Sequence, residues 1–113
     1  VNDHPADPLD HGIALFNDRQ FFEAHEVWEE SWRRAMGDEA RFLQGLIQVA
    51  AGFVKWQRGQ ARGQANLFAK GAEKLAPFRA GRHGVDVAAL LDTLAAWRAA
   101  PDGPPPDIRR SRP

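Results

Sequence analysis

The chain contains no cysteine. That excludes disulfides, thiolate catalysis and zinc held by cysteines. It also has no net charge, because fifteen Lys and Arg are matched by fifteen Asp and Glu. A generic nucleic-acid binder shows a basic face or stripe, so nucleic acid is not an expected partner. Long apolar runs are missing too. The longest, Leu46 to Val54, is broken by Gln48 and Gly52 and is too short to span a bilayer. The first residues, VNDHPADPLD, show neither the basic start nor the apolar centre of a signal peptide. No stretch of convincing length alternates with period two, as half-buried strands do. These absences predict a cytoplasmic, soluble, all-α protein, and 113 residues suffice for one domain around a single core.

What is present centres on Phe21 to Arg34, FFEAHEVWEESWRR. On a helix at about 100° per residue, Phe21, Phe22, Trp28 and Trp32 share one face, with His25 and Glu29 in its middle. Glu23, Glu26, Glu30, Arg33 and Arg34 take much of the remainder. A His and a carboxylate within an aromatic face need partners, since burying either alone costs several kcal/mol. The stretch therefore marks a candidate site.

Around it the chain reads as about five helices. Asp7-Pro8 is an N-cap followed by proline at the first helical position, and Leu9, Ile13 and Phe16 recur at helical spacing to Asn17. His11 lies off that stripe and faces solvent. A tight connection at Asp18 to Gln20 makes the first two helices an antiparallel hairpin. Gly37 suits the left-handed position closing the second helix, and Asp38 is the expected N-cap of a third reaching Arg58, with Gly59 as its stop. That third helix is apolar over well over half its circumference, which makes it the centre of the core. Gly45 and Gly52 interrupt it at a cost of about 1 kcal/mol each relative to alanine. Either bulky neighbours approach there, with Trp28 and Trp32 the expected ones, or there is room for a ligand beside Gln44 and Gln48.

A fourth helix runs from about Ala61 to Ala76, with Ala61, Ala65, Phe68, Ala69, Ala72, Leu75 and Ala76 on the expected packing face, and Pro77 ends it. His83 reads as a surface-loop histidine. Asp86 caps a last helix whose core face is Val87, Leu90, Leu91, Leu94 and Trp97. Residues 1–100 thus form one helical domain. The tail 101–113, PDGPPPDIRRSRP, reads as an extended, solvated terminus with almost nothing to bury and a basic end at Arg109, Arg110 and Arg112. The segments beginning at Gly12 and Ala50 echo each other as helix, turn and helix with an early alanine, Ala24 and Ala65. The plan is weakly tetratricopeptide-like, two stacked hairpins plus a C-terminal helix, without enough units for a repeat array.

His25 and Glu29, four residues apart, point to the same side of their helix. That spacing suits a buried His–Glu hydrogen bond, two ligands to a divalent metal, or an acid/base pair. The zincin pattern HExxH fails because Glu29 stands where its second His belongs, and Glu26, the would-be base, turns toward solvent. The di-iron bundle pattern fails because Phe22 occupies the required Glu position and no other helix carries the motif. A third metal ligand would have to come from His83, His11 or His4. Ser31 lies away from His25, and the Gly59–Gly63 connection lacks the lysine and preceding strand of a phosphate cradle.

His25, Glu29 and Trp32 spell HxxxExxW. With the LFN before them and LQGLIQVAAG at Leu43 to Gly52, the chain resembles domain-of-unknown-function family 309 from about Gly12 to Leu94. The resemblance implies a short, all-helical bacterial or archaeal protein with an HxxxExxW signature, and brings no activity, substrate or cofactor.

Three functions compete. In the first, a ligand- or partner-binding module, His25, Glu29, Gln44, Gln48 and a rim residue, Lys55, form a polar pocket walled by Phe22, Trp28 and Trp32. The second is a structural network in which His25 and Glu29 bond to each other and to Gln44 or Gln48, fixing helix register. The third is a hydrolase with His25 as general base or metal ligand and Glu29 orienting it. No cofactor is predicted, a metal on His25 and Glu29 being the alternative. The expected partner is a small molecule or protein, and the tryptophan-rich and alanine-rich faces offer surfaces for a homodimer.

Overall fold

A computed structural model describes residues 7–111. Its five helices are α1 (Pro8–Asn17), α2 (Phe21–Trp32), α3 (Gly37–Gln57), α4 (Ala61–Leu75) and α5 (Val87–Ala99), with a single 3-10 turn at Ala76–Phe78 after α4. The fold is all-α, as the missing period-two alternation requires. Asp7 accepts a hydrogen bond from the Leu9 amide at 2.9 Å and Pro8 opens α1. At the other end of the domain, Asp86 accepts from the Ala89 amide at 3.0 Å and caps α5. Gly59 follows α3 with the positive φ of 70° expected of a helix stop. By contrast, α2 ends already at Trp32, and Gly37, φ 58°, is the first residue of α3 rather than the residue closing α2. The α3 start differs from its sequence reading. Met36 occupies the cap position without a side-chain bond, and Asp38 lies in the first turn, where its charge favours the helix dipole.

Packing is built outward from Phe53 on α3. Its ring lies 5.7 Å from Phe16 of α1, 4.8 Å from Phe21 of α2, 4.6 Å from Phe68 of α4 and 5.0 Å from Trp97 of α5. One side chain thus meets an aromatic ring from each other helix. The hairpins α1–α2 and α3–α4 stack through the α2–α3 contact, and α5 closes the core.

The glycines in α3 have the packing role, but the approaching residues come from α4 rather than α2. Leu75 and the Gly71 carbonyl crowd Gly45, and Phe68 crowds Gly52. Trp28 instead faces α1, where a Cβ on Gly12 would collide with its indole, and its Nε1 donates to the Leu9 carbonyl at 3.3 Å. The packing face of α4 also differs. Phe68, Gly71 and Leu75 are buried, whereas Ala61, Ala65, Ala69 and Ala76 are exposed. One aromatic ring, one leucine and a glycine gain more from burial and close approach than an alanine row does.

The tail is extended but not solvated. Pro105, Pro106 and Ile108 are buried. Asn17 and Ile108 exchange two hydrogen bonds, Arg19 donates to the Pro106 carbonyl and pairs with Asp107, and the Arg109 carbonyl accepts from the Asp86 amide. The prolines and arginines of the sequence do not announce that Pro105, Pro106 and Ile108, with polar partners, anchor the segment. Arg112 lies outside the described residues.

Candidate functional site

On α2 the buried row is Phe21, Ala24 and Trp28. The helical period then places Phe22, His25, Glu29 and Trp32 along one border of the buried face rather than in its middle. Phe22 is 46% exposed and Trp32 36%. Neither ring fills the core: Trp32 lines the groove toward α3, and Phe22 borders a separate opening with His11, Leu15 and Val27.

His25 Nε2 lies 3.1 Å from Glu29 Oε2, and Arg33 Nη2 lies 3.3 Å from Glu29 Oε1. The Phe22 ring stacks on the imidazole at 6.0 Å. Both carboxylate oxygens are therefore engaged by α2 and its C-cap residue, Arg33. Across from them, α3 contributes Gln44, Ile47 and Gln48, and these three with Glu29 and Trp32 line a groove of about 170 Å³. The structure thus brings four of the six predicted residues, Glu29, Trp32, Gln44 and Gln48, around one opening, with His25 behind Glu29.

Lys55 does not line it. It shares the angular stripe of Gln48 but sits about 10 Å farther along the helix axis. There its aliphatic stem lies against Gly63 at the start of α4. Ile47, which sequence reading assigned to the core, contributes the groove's apolar side.

Among the described residues, two buried side-chain atoms have no hydrogen-bond partner, His25 Nδ1 and Gln48 Oε1. Because Nε2 faces a carboxylate, which only accepts, the proton of a neutral ring belongs on Nε2. Nδ1 is then an acceptor, like Gln48 Oε1. A buried polar atom left unpaired costs about 1–3 kcal/mol. Among the described residues, no group of three or more His, Asp or Glu side chains could hold a metal ion. His83 and His11 stand apart from His25, and His4 lies outside the described residues.

A second polar cluster escaped sequence reading. Glu39 Oε1 accepts from Arg82 Nε at 3.2 Å and Nη2 at 2.9 Å, and lies 2.7 Å from His83 Nε2. Burial pushes the Glu39 carboxyl upward, but the bonds and charges of His83 and Arg82 together outweigh it and hold the group below its ordinary value. His83 has φ 52°, its carbonyl accepts from Arg110, and Arg110 pairs with Asp10. Asp7, Leu9, Asp10, Glu39, His83 and Arg110 surround a cavity of about 460 Å³. The partners come from four segments far apart in the chain, so no local motif announces them.

The family described as Domain of unknown function (DUF309) matches residues 9–67, more than half of the chain. The chain belongs to that family. No curated protein matches it significantly. The DUF309 segment runs from α1 into α4 and contains every residue of the groove. The second cluster differs, since Arg82, His83 and Arg110 lie beyond the matched DUF309 residues. The groove is thus internal to the family domain, whereas the Glu39 cluster joins that domain to the C-terminal part of this chain.

Proposed function

We propose that this protein is a binding module whose ligand occupies the groove between α2 and α3. The observation that supports the reading is Gln48 Oε1, buried beside the groove with no donor. A network evolved only to fix helix register would bond Glu29 across to α3, yet the contacts of Glu29 come from His25 on its own helix and from Arg33 at that helix's C-cap. An aromatic wall, an apolar side and a few converging polar groups are the usual make-up of a small-ligand site. The volume, about 170 Å³, is below the roughly 300–1,000 Å³ of drug-sized pockets and suits a group the size of one side chain.

The test is protein-observed NMR with a fragment library. Binders are expected to move the Trp32 indole and the Gln44 and Gln48 side-chain amide resonances. Binders that all perturb other surfaces and leave these three still would sink the proposal.

A further inference from the structure

We infer that the groove takes a small organic cation, an alkylammonium or guanidinium group, an inference that rests on the binding-module reading. Among the described residues, Glu29 is the only charged one lining the groove, and it is a carboxylate. Gln48, which lines the groove, offers an unpaired acceptor, Oε1, beside that carboxylate. Acceptors without donors select a ligand that brings N–H groups. Trp32, partly exposed at the same opening, presents the side chain best suited to a cation over its ring.

Arg33 shows what Glu29 recruits. Its guanidinium is bound to Glu29 Oε1 at 3.3 Å, a long contact made by a side chain that is 60% exposed. Such a contact contributes little and exchanges easily. A ligand cation reaching Glu29 from the groove side would replace it, with Trp32 against one face and Gln48 accepting a further N–H. Charge-assisted bonds of this kind are about twice as strong as neutral ones, so the carboxylate sets the preference.

The experiment titrates the full chain, by NMR, with ethylguanidinium, n-butylammonium, propionamide, butyrate and an end-blocked Gly-Arg-Gly peptide. The two free cations are expected to shift the Trp32 indole and Gln48 amide at millimolar concentration, and butyrate is expected not to. Tighter binding of the peptide would assign the cation to a peptide side chain, and equal or weaker binding to a free small molecule. Glu29→Gln, whose fold is checked by its spectrum, is expected to weaken the cations at least about tenfold. Arg33→Ala removes the internal competitor and is expected to strengthen them. Propionamide binding in the groove as tightly as the cations, or indifference to Glu29→Gln, would overturn the cation while leaving a binding groove. Silence at the groove residues from all five probes and from the fragment library would remove both.

Discussion

Asn17 and Ile108 are 91 positions apart and exchange two hydrogen bonds. The Ile108 amide donates to Asn17 Oδ1 at 2.8 Å, and Asn17 Nδ2 donates to the Ile108 carbonyl at 3.0 Å. The Asn side chain thus acts as one rung of a strand, satisfying both backbone groups of a residue buried to 3% exposure. Asn17→Ala would leave both groups unpaired. It is expected to destabilise the protein by about 1–3 kcal/mol in urea unfolding and to speed tryptic cleavage at Arg109 and Arg110. Unchanged stability and cleavage would show that the tail contributes nothing.

The crossing of α3 and α4 separates glycines that are required from those that are not. A Cβ on Gly71 would come within 2.9 Å of the Gly45 carbonyl and 3.0 Å of the Val49 amide nitrogen, both backbone atoms that cannot move aside. A Cβ on Gly63 would meet only the Lys55 side chain, at 3.5 Å or more. Gly71→Ala is expected to cost about 1–3 kcal/mol, as overpacked core sites do. Gly63→Ala is expected to gain about 0.5–1 kcal/mol from the entropy of the unfolded helix segment. Thermal unfolding of the two variants would show opposite shifts, and shifts of the same sign would contradict this packing.

Gln48→Leu tests whether the groove is held open at a cost. The substitution keeps most of the volume and removes an acceptor that has no partner. It is expected to stabilise the free protein by about 1 kcal/mol and to abolish groove binding. A loss of stability would mean that Gln48 is bonded in solution and serves the fold.

The Glu39 cluster predicts an acid-side response. Its carboxyl is held below the ordinary value of 4.5, so the folded state keeps it ionised more readily than the unfolded chain. The stabilisation is complete above that value and is lost as pH falls through it toward the lower folded value. Urea midpoints are expected to drop below about pH 4.5, less steeply in Glu39→Gln. An identical slope in the variant would remove Glu39 from the account of acid sensitivity.

Local signals in the sequence located the helices well. Asp7-Pro8, Asp86 and Gly59 act within a few residues of themselves, and the structure uses all three at the expected boundaries. By contrast, α2 stops at Trp32, and Gly37 opens α3 instead of closing α2. Periodicity also brought Glu29, Trp32, Gln44 and Gln48 to one groove, because the faces of α2 and α3 follow from spacing alone. Partner identity was not legible. Nothing near Gly45 or Gly52 says whether Trp28 or Phe68 will approach, since that is decided by how three helices share one core. The same holds for the alanines of α4, whose stripe is apolar by count but too small to outcompete Phe68 and Leu75. Glu39, Arg82, His83 and Arg110 carry ordinary surface chemistry until the tail folds over them.

The docked tail has a consequence for the order of assembly. The helical contacts are mostly between chain neighbours, α1 with α2, α2 with α3 and α3 with α4, and close short loops. Joining Ile108 to Asn17 closes nearly the whole chain, with a loop entropy no helix pair incurs. Tail docking is therefore expected to come last in folding and its release first in unfolding. The amides of Ile108 and Ser111 should exchange with solvent well before those of α3, in an opening that leaves the five helices standing.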